Sequence, residues 1–251
     1  FDRSGHRARL TDAGRELLRE GRHLLQAAEE LEARVKRVAT GYEVELRIAV
    51  DDVIPMPRLF PLFEEFYRDA CGTRLKILSE VYGGAWDALT GNRADLVIGA
   101  PGEGPAGGGF SARHIGTLKF VFMVAPAHPL ASAREPLSQD DILKHRAAAA
   151  ADSSRNLPPR TAGLLSGQDV LTLPSVSSKI EAQCCGLGVG YLPKHLARIE
   201  MAAGRLVMKP VLEPRADIPL YFAWRTADSG KALHWFLKRL ESKALLASFL
   251  A

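Results

Sequence analysis

The rhythm of apolar and polar positions changes several times along this chain, and each change predicts a new element. From Leu10 through Gly14, Leu17, Gly21, Leu24, Ala28, Leu31, Val35 and Val38, apolar or small residues recur in alternating steps of four and three. Such a repeat marks a long helix packed along a narrow seam. Thr11 is a suitable N-cap, Asp12 suits the positive end of a helix, and Gly41 sits where a left-handed residue would end it. The spacing predicts a rod over residues 12–40, about 40 Å long. An isolated helix with so thin an apolar stripe is marginal in water, so the rod wants a partner. Either it docks on the chain's own body or, as the seam favours, two copies meet along Leu17, Leu24, Ala28, Leu31, Val35 and Val38.

After Gly41 the period becomes two. Val44, Leu46, Ile48 and Val50 alternate with Glu45, Arg47 and Ala49, which predicts a strand ending at Asp51-Asp52. Pro55 and Pro57 introduce a helix over 58–69, with Leu59, Leu62, Phe63 and Phe66 on one face. A strand over 75–81 leads through Gly83-Gly84 to a short helix over 85–90, and a third strand covers 95–99. This β-α-β-α-β series predicts a parallel sheet, with ligands outside the carboxyl ends of its strands. A Gly/Pro loop over 101–109 and an apolar strand over 118–125 follow.

The alternation then restarts. Helices are predicted near 138–144, 177–185 and 193–203, and strands at 147–151, 170–173 and 188–192. Strands near 206–211 and 220–224 and a helix from 229 close the chain. Two similar α/β lobes joined by strands imply a cleft between them.

Composition narrows the picture. Apolar residues make up 47% and charged residues 25%, enough for a real core. No apolar run reaches the roughly 20 residues of a membrane span. The net charge of +4 permits a nucleic-acid partner without requiring one. Cys71, Cys184 and Cys185 form no disulfide framework and fit a reducing compartment such as the cytoplasm. Metal-ligand spacings such as C-x-x-C or H-E-x-x-H are absent, so neither metal nor cofactor is expected. His114, His128 and His145 pair with no acid and nucleophile, so no catalytic residue is expected either. The chain opens on Phe1, and residues 1–10 read as a basic hairpin tip carrying Arg3, Arg7 and Arg9.

Four motifs, in order, carry a resemblance. Phe1-Asp2-Arg3 followed by Leu10-Thr11-Asp12-Ala13-Gly14 resembles an F-x-R wing with an L-T-x-A-G helix start. Asn92-Arg93-Ala94-Asp95-Leu96-Val97-Ile98 resembles a G-x-L-D-L-A-I strand, with Gly91 one place earlier than is common. Ala127-His128-Pro129-Leu130-Ala131 resembles an H-P-L-A element, and Gly186 to Pro193 a G-x-G-x-x-x-L-P turn. Together they are similar to the LysR-type transcriptional regulators, with most of the helix-turn-helix lying outside the sequence.

The resemblance implies a wing remnant (1–10), a dimerising linker helix (11–40) and a two-lobed effector domain like the type II periplasmic binding proteins. Its first lobe would comprise 41–125 and 215–251, its second 126–214. It further implies a homodimer or homotetramer that binds promoter DNA, responds to a small effector in the cleft, and has RNA polymerase as a further partner. Arg3, Arg7 and Arg9 would then contact phosphates or the minor groove by charge.

By the logic of such clefts, ligand contacts fall on strand-to-helix turns: Asp51, Asp52 and Val53; Tyr82, Gly83 and Gly84; Ala100 and Pro101. The second lobe would add Ser153, Ser154 and Arg155, then Val176, Ser177 and Ser178 at a helix start that suits an anion. Ser177 also reads as an ordinary N-cap, and Asp51-Asp52 as caps of their own turn. As ligand groups the two aspartates would accept from hydroxyls or a cation, with Arg155 taking a carboxylate or ring face. A hydroxylated aromatic or organic acid is the expected effector. Cys184-Cys185 reads as packing on a helix rather than as a redox pair. The alternatives are a transporter's solute-binding protein, which has no use for a rod, and an enzyme built on the vicinal cysteines, for which no base is in view.

Overall fold

The computed structural model describes residues 10–69, 72–160, 163–227 and 230–251, so Arg3, Arg7, Arg9 and Cys71 lie outside the described residues. Helix α1 (Asp12–Thr40) spans the predicted rod. The Thr11 hydroxyl accepts the Gly14 N–H at 3.1 Å, which satisfies one of the free donors at the helix start. At the other end Gly41 has φ +74°, and a side chain there would also strike Lys231. Leu17, Leu24, Leu31 and Val35 are 75%, 72%, 58% and 62% exposed, and Ala28 is exposed as well. The seam is therefore not docked on the chain's own body. The side chain of Val38 lies outside the described ones.

The first lobe follows as β1 (Glu45–Asp51), α2 (Phe60–Arg68), β2 (Arg74–Glu80), α3 (Gly84–Thr90), β3 (Leu96–Pro101) and β4 (Phe110–Leu118). The second contains β5 (Phe120–Val124), α4 (Gln139–Leu143), β6 (Ala147–Ala150), β7 (Val170–Leu173), α5 (Val176–Cys184), β8 (Gly190–Pro193), α6 (Lys194–Ala202) and β9 (Val207–Met208). The chain then returns to the first lobe with β10 (Ile218–Arg225), α7 (Lys231–Arg239) and α8 (Lys243–Ser248).

Sheet one runs β2-β1-β3-β10-β4, parallel across β2, β1 and β3 and antiparallel at β10 and β4. Sheet two runs β8-β5-β9, and a parallel bridge between Ala147 and Val189 attaches the β6-β7 pair beside it. In lobe one, Leu46, Ile48, Phe66, Phe222 and Phe236 form one apolar layer, and Trp86, Ala49, Val97 and Ala223 another. In lobe two, Phe122, Val124 and Ile142 form one layer, and Met123, Leu192 and Ala197 a second. Strands buried on both faces read as unbroken apolar runs, as Leu96–Pro101 does.

The structure departs from the sequence pattern in several places. Residues 118–125 are not one strand: β4 pairs with β10 in the first sheet, whereas β5 pairs with β8 and β9 in the second. The chain thus crosses between lobes at Lys119 rather than after residue 125, a change of sheet that periodicity does not record. The C-terminal helix is also two helices, and the Ser242 hydroxyl accepts the Leu245 N–H to start the second. Among the described residues no helix is long and apolar enough to cross a membrane.

Candidate effector site between the lobes

The end of β1 delivers Asp51 and Asp52 to the junction of the lobes, and their environments differ. Asp51 is buried; one carboxyl oxygen accepts the Val53 N–H at 3.1 Å and the other has no partner. Burial pushes its pKa well above the usual carboxylate value, helped by the charges of Asp52 and Asp152 and opposed by the Val53 and Tyr82 N–H groups. Asp51 is accordingly biased toward its protonated form. Asp52 instead reaches across the cleft, where its carboxylate accepts the Val176 N–H at 2.8 Å and the Ser79 hydroxyl at 3.2 Å.

Asp52 therefore supplies, from lobe one, the anion that the start of α5 attracts. The N-cap of α5 is Ser175, whose hydroxyl accepts the Ser178 N–H at 3.0 Å; Ser177 is exposed beside it. Two groups singled out in the sequence as ligand contacts, Asp52 and Val176, thus satisfy one another. A second tie crosses the cleft nearby, with His195 Nε2 of α6 donating to the Val53 carbonyl at 2.8 Å.

The turns near α3 are engaged in the same way. Ser153 Oγ accepts the Val81 N–H at 2.8 Å and donates to Glu80 at 2.5 Å. A side chain at Gly84 would fall 1.8 Å from that hydroxyl, so the close approach requires glycine. Asp152 accepts the N–H groups of Gly83 at 3.0 Å, Ser154 at 2.7 Å and Arg160 at 2.7 Å. Ala100 is buried at the end of β3, and the Pro101 carbonyl accepts Trp86 Nε1–H at 3.0 Å and an Arg160 N–H at 2.9 Å. Arg155 is exposed and faces away, onto an open trough beside α1.

What remains between the lobes is a small gap, about 10 Å³, with room for one water at most. Of the turn residues singled out in the sequence, Val53, Tyr82 and Val176 line it. Tyr82 has φ +54°, a left-handed conformation that a bulky residue adopts only under constraint, and burial raises its phenol pKa.

The other walls were not marked in the sequence: Phe120, Lys179, Tyr191 and Arg215, with Leu192 and Pro193. Lys179 is 4% exposed and donates to the Tyr191 carbonyl at 2.7 Å. Burial, and after it the nearby Arg215 charge, lower its pKa to about 7. Arg215 lies 3.6 Å over the Phe120 ring, and burial lowers its pKa too. Among the described residues, neither cation has a carboxylate partner. A legible signal existed for Lys179, which falls on the same α5 face as buried Val176, Ala182 and Gln183. Arg215 lies in the return crossing between β9 and β10, where no periodicity points anywhere.

Cys184 is half-buried with its thiol 3.7 Å from Glu200, and burial, then the Glu200 charge, push its pKa up to about 11. A thiol so protonated is a poor nucleophile at neutral pH. Cys185 is exposed and free.

Asp51→Asn tests the neutral-acid assignment. In the fold the carboxyl keeps a proton that the unfolded chain sheds above about pH 3.9, so stability is full below that pH and falls as pH rises toward the folded pKa. The loss approaches about 1.4 kcal/mol per pH unit over that window. Urea unfolding at pH 4.5 and pH 7 should show Asp51→Asn gaining on the wild type at the higher pH. Parallel pH profiles would refute the assignment.

Two lobes, two crossings and a polar junction define an effector-binding domain of the periplasmic-binding-protein type, here preceded by a long helix. A family model, the LysR substrate binding domain, matches residues 39–244. The chain is 39% identical to an uncharacterized HTH-type transcriptional regulator, YeeY, of Escherichia coli K12 over all of its length and 81% of the relative's. It is 38% identical to a probable HTH-type transcriptional regulator, YhaJ, of the same strain, over 96% of this chain and 80% of that one. The full-length virulence activator AphB of Vibrio cholerae shares the fold at a TM-score of 0.65 and 17% identity, over 96% of this chain and 82% of that chain. The chain belongs to the LysR family of transcriptional regulators, and residues 39–244 carry its effector-binding domain. The solute-binding-protein alternative is not favoured by these relatives.

Proposed function

We propose that this regulator is switched by a small molecule seated between the lobes at Val53, Tyr82, Val176 and Lys179, where it displaces the direct ties now closing the cleft. The observation that carries this reading is the Asp52–Val176 hydrogen bond. It joins a lobe-one carboxylate to a lobe-two helix start, so its making or breaking is coupled to the angle between lobes. The exposed seam of α1 supports pairing of two copies, so that the lobe angle is reported through the linker helices to a promoter. Arg3, Arg7 and Arg9 are proposed to touch DNA phosphates, RNA polymerase to be a downstream partner, and the site of action to be the cytoplasm. The domain division at 1–10, 11–40 and two lobes stands on the same reading, with the first crossing at Lys119. No catalytic role is assigned to any residue.

Thermal unfolding of the whole chain against a library of metabolite-sized compounds tests the seat. A ligand at 100 times its Kd adds about 2.7 kcal/mol, a rise of about 5–10 °C for a chain of this size. Val176→Trp, whose ring overfills the gap and takes the effector's seat by wedging the lobes, should abolish that rise while leaving the far-ultraviolet circular dichroism unchanged. A ligand that stabilises wild type and Val176→Trp equally binds elsewhere, and the proposed seat is then wrong.

A further inference from the structure

Resting on the cleft as the effector's seat, the structure assigns a charge to the effector: it is an organic anion whose carboxylate or similar oxyanion pairs with Lys179 and Arg215. The two cations lack counter-ions among the described residues. Lys179 is almost fully buried, and among the described residues its ammonium has a single hydrogen-bond partner, the Tyr191 carbonyl. An ammonium out of water normally has a carboxylate beside it, because its desolvation costs several kcal/mol otherwise. Among the described residues no acidic side chain lies within ion-pair reach of it, or of Arg215. Half-buried Arg215 instead lies near buried Lys179, and its charge disfavours the protonated ammonium.

The acids at the junction are already committed. Asp52 is held by Val176 and Ser79, and Asp152 by three N–H groups. Asp51 is buried, its pKa is raised by that burial, and one of its oxygens has no partner. The gap thus holds the Arg215 guanidinium and Lys179, which titrates near neutral pH and which a bound anion would hold in its charged form, with no free carboxylate among the described residues to pair either.

The remaining walls describe the rest of the ligand. Tyr82, Phe120 and Tyr191 present ring surfaces, and Val53, Val176 and Leu192 present aliphatic ones. An anion with a compact apolar or aromatic body fits both sets. A cationic amine faces repulsion from Lys179 and Arg215, and a neutral alcohol leaves both charges unpaired. This keeps the organic acid expected from sequence but changes the groups that face it: the aspartates are engaged elsewhere, Arg155 is exposed on the outer trough, and Lys179 and Arg215 stand in the cleft.

The test holds ligand shape constant and varies the head group. Benzoate, salicylate, phenylacetate, succinate and 2-oxoglutarate are compared with their amides, alcohols and amines by thermal unfolding and calorimetry of the full chain. At least one carboxylate should bind at least ten-fold tighter than its amide, alcohol and amine. Lys179→Met and Arg215→Gln should each weaken that carboxylate at least ten-fold, and Lys179→Arg should restore part of the loss. Without ligand, Lys179→Met should melt no lower than wild type, because it removes a buried unpaired charge.

Tighter binding of an amine or alcohol, or carboxylate binding unchanged in both variants, overturns the assignment. So does a clear fall in the melting temperature of unliganded Lys179→Met, which would make Lys179 a structural donor to Tyr191. If only neutral or cationic library compounds respond to Val176→Trp, the assigned charge is wrong and the cleft reading stands. If no compound of any charge responds to Val176→Trp, the cleft reading itself fails.

Discussion

Replacing Arg93 by methionine is expected to lower the unfolding free energy by about 3–5 kcal/mol at neutral pH. Arg93 follows α3, and its guanidinium is shared between two buried carboxylates, pairing with Glu80 and lying 3.0 Å from Asp87. Burial alone would raise the Asp87 pKa. Hydrogen bonds from the Asn156 N–H, the Arg93 guanidinium and the Leu157 N–H outweigh it and hold the pKa below the ordinary value. Methionine fills much of the same volume but leaves two negative charges buried without a counter-ion, the costly way to break such a pair.

The damage should reach beyond the first lobe. Glu80 also accepts the Ser153 hydroxyl and Asp87 the two N–H groups at 156 and 157, so Arg93 anchors the segment that fastens lobe two to lobe one. Urea unfolding at pH 7.5 and pH 5 reads the effect. The deficit should shrink at the lower pH, where the orphaned carboxyls more readily take up protons. A loss below about 1 kcal/mol at pH 7.5 would mean that water compensates both acids and that the pair is not structural.

Leu24→Glu should dissociate the assembly. Leu24 sits midway along the α1 seam and is 72% exposed in the single chain. In a pair of chains meeting along the seam each leucine would be covered, and covering one is worth about 1.5–3 kcal/mol. Two copies lose twice that, about 3–6 kcal/mol, and facing carboxylates add repulsion. The dimer dissociation constant should therefore rise by about 10² to 10⁴. Sedimentation equilibrium over a range of concentrations should give the mass of one chain where the wild type gives two or four. The fold itself should be unaffected, because Leu24 touches no core cluster. An unchanged assembly mass would place the contact elsewhere.

Sequence periodicity found α1, because nothing in the rest of the chain competes with its seven-residue repeat and both ends carry capping residues. It found β1, α3 and β3, whose patterns are local. It missed β4, an edge strand that begins directly after Gly107-Gly108-Gly109 and carries exposed Arg113 and His114, and so reads as loop. In the site, Asp52 and Val176 were both marked, but as ligand contacts. That they bond to each other over a separation of 124 residues is a tertiary fact no local rule contains. Lys179 was passed over because lysine on a helix is ordinarily solvated, although its phase with Val176 already turned it inward. Arg215 carried no local signal at all.

The position of β10 has a consequence for how this protein is made. Strand β10 lies between β3 and β4, yet it is synthesised only after the whole second lobe. A nascent chain that has emerged as far as residue 217 therefore holds a first sheet split by a missing strand, with the inner edges of β3 and β4 unpaired. Such edges invite wrong pairing, so a chain stalled on the ribosome before residue 218 should depend on chaperones in a way that the finished chain does not.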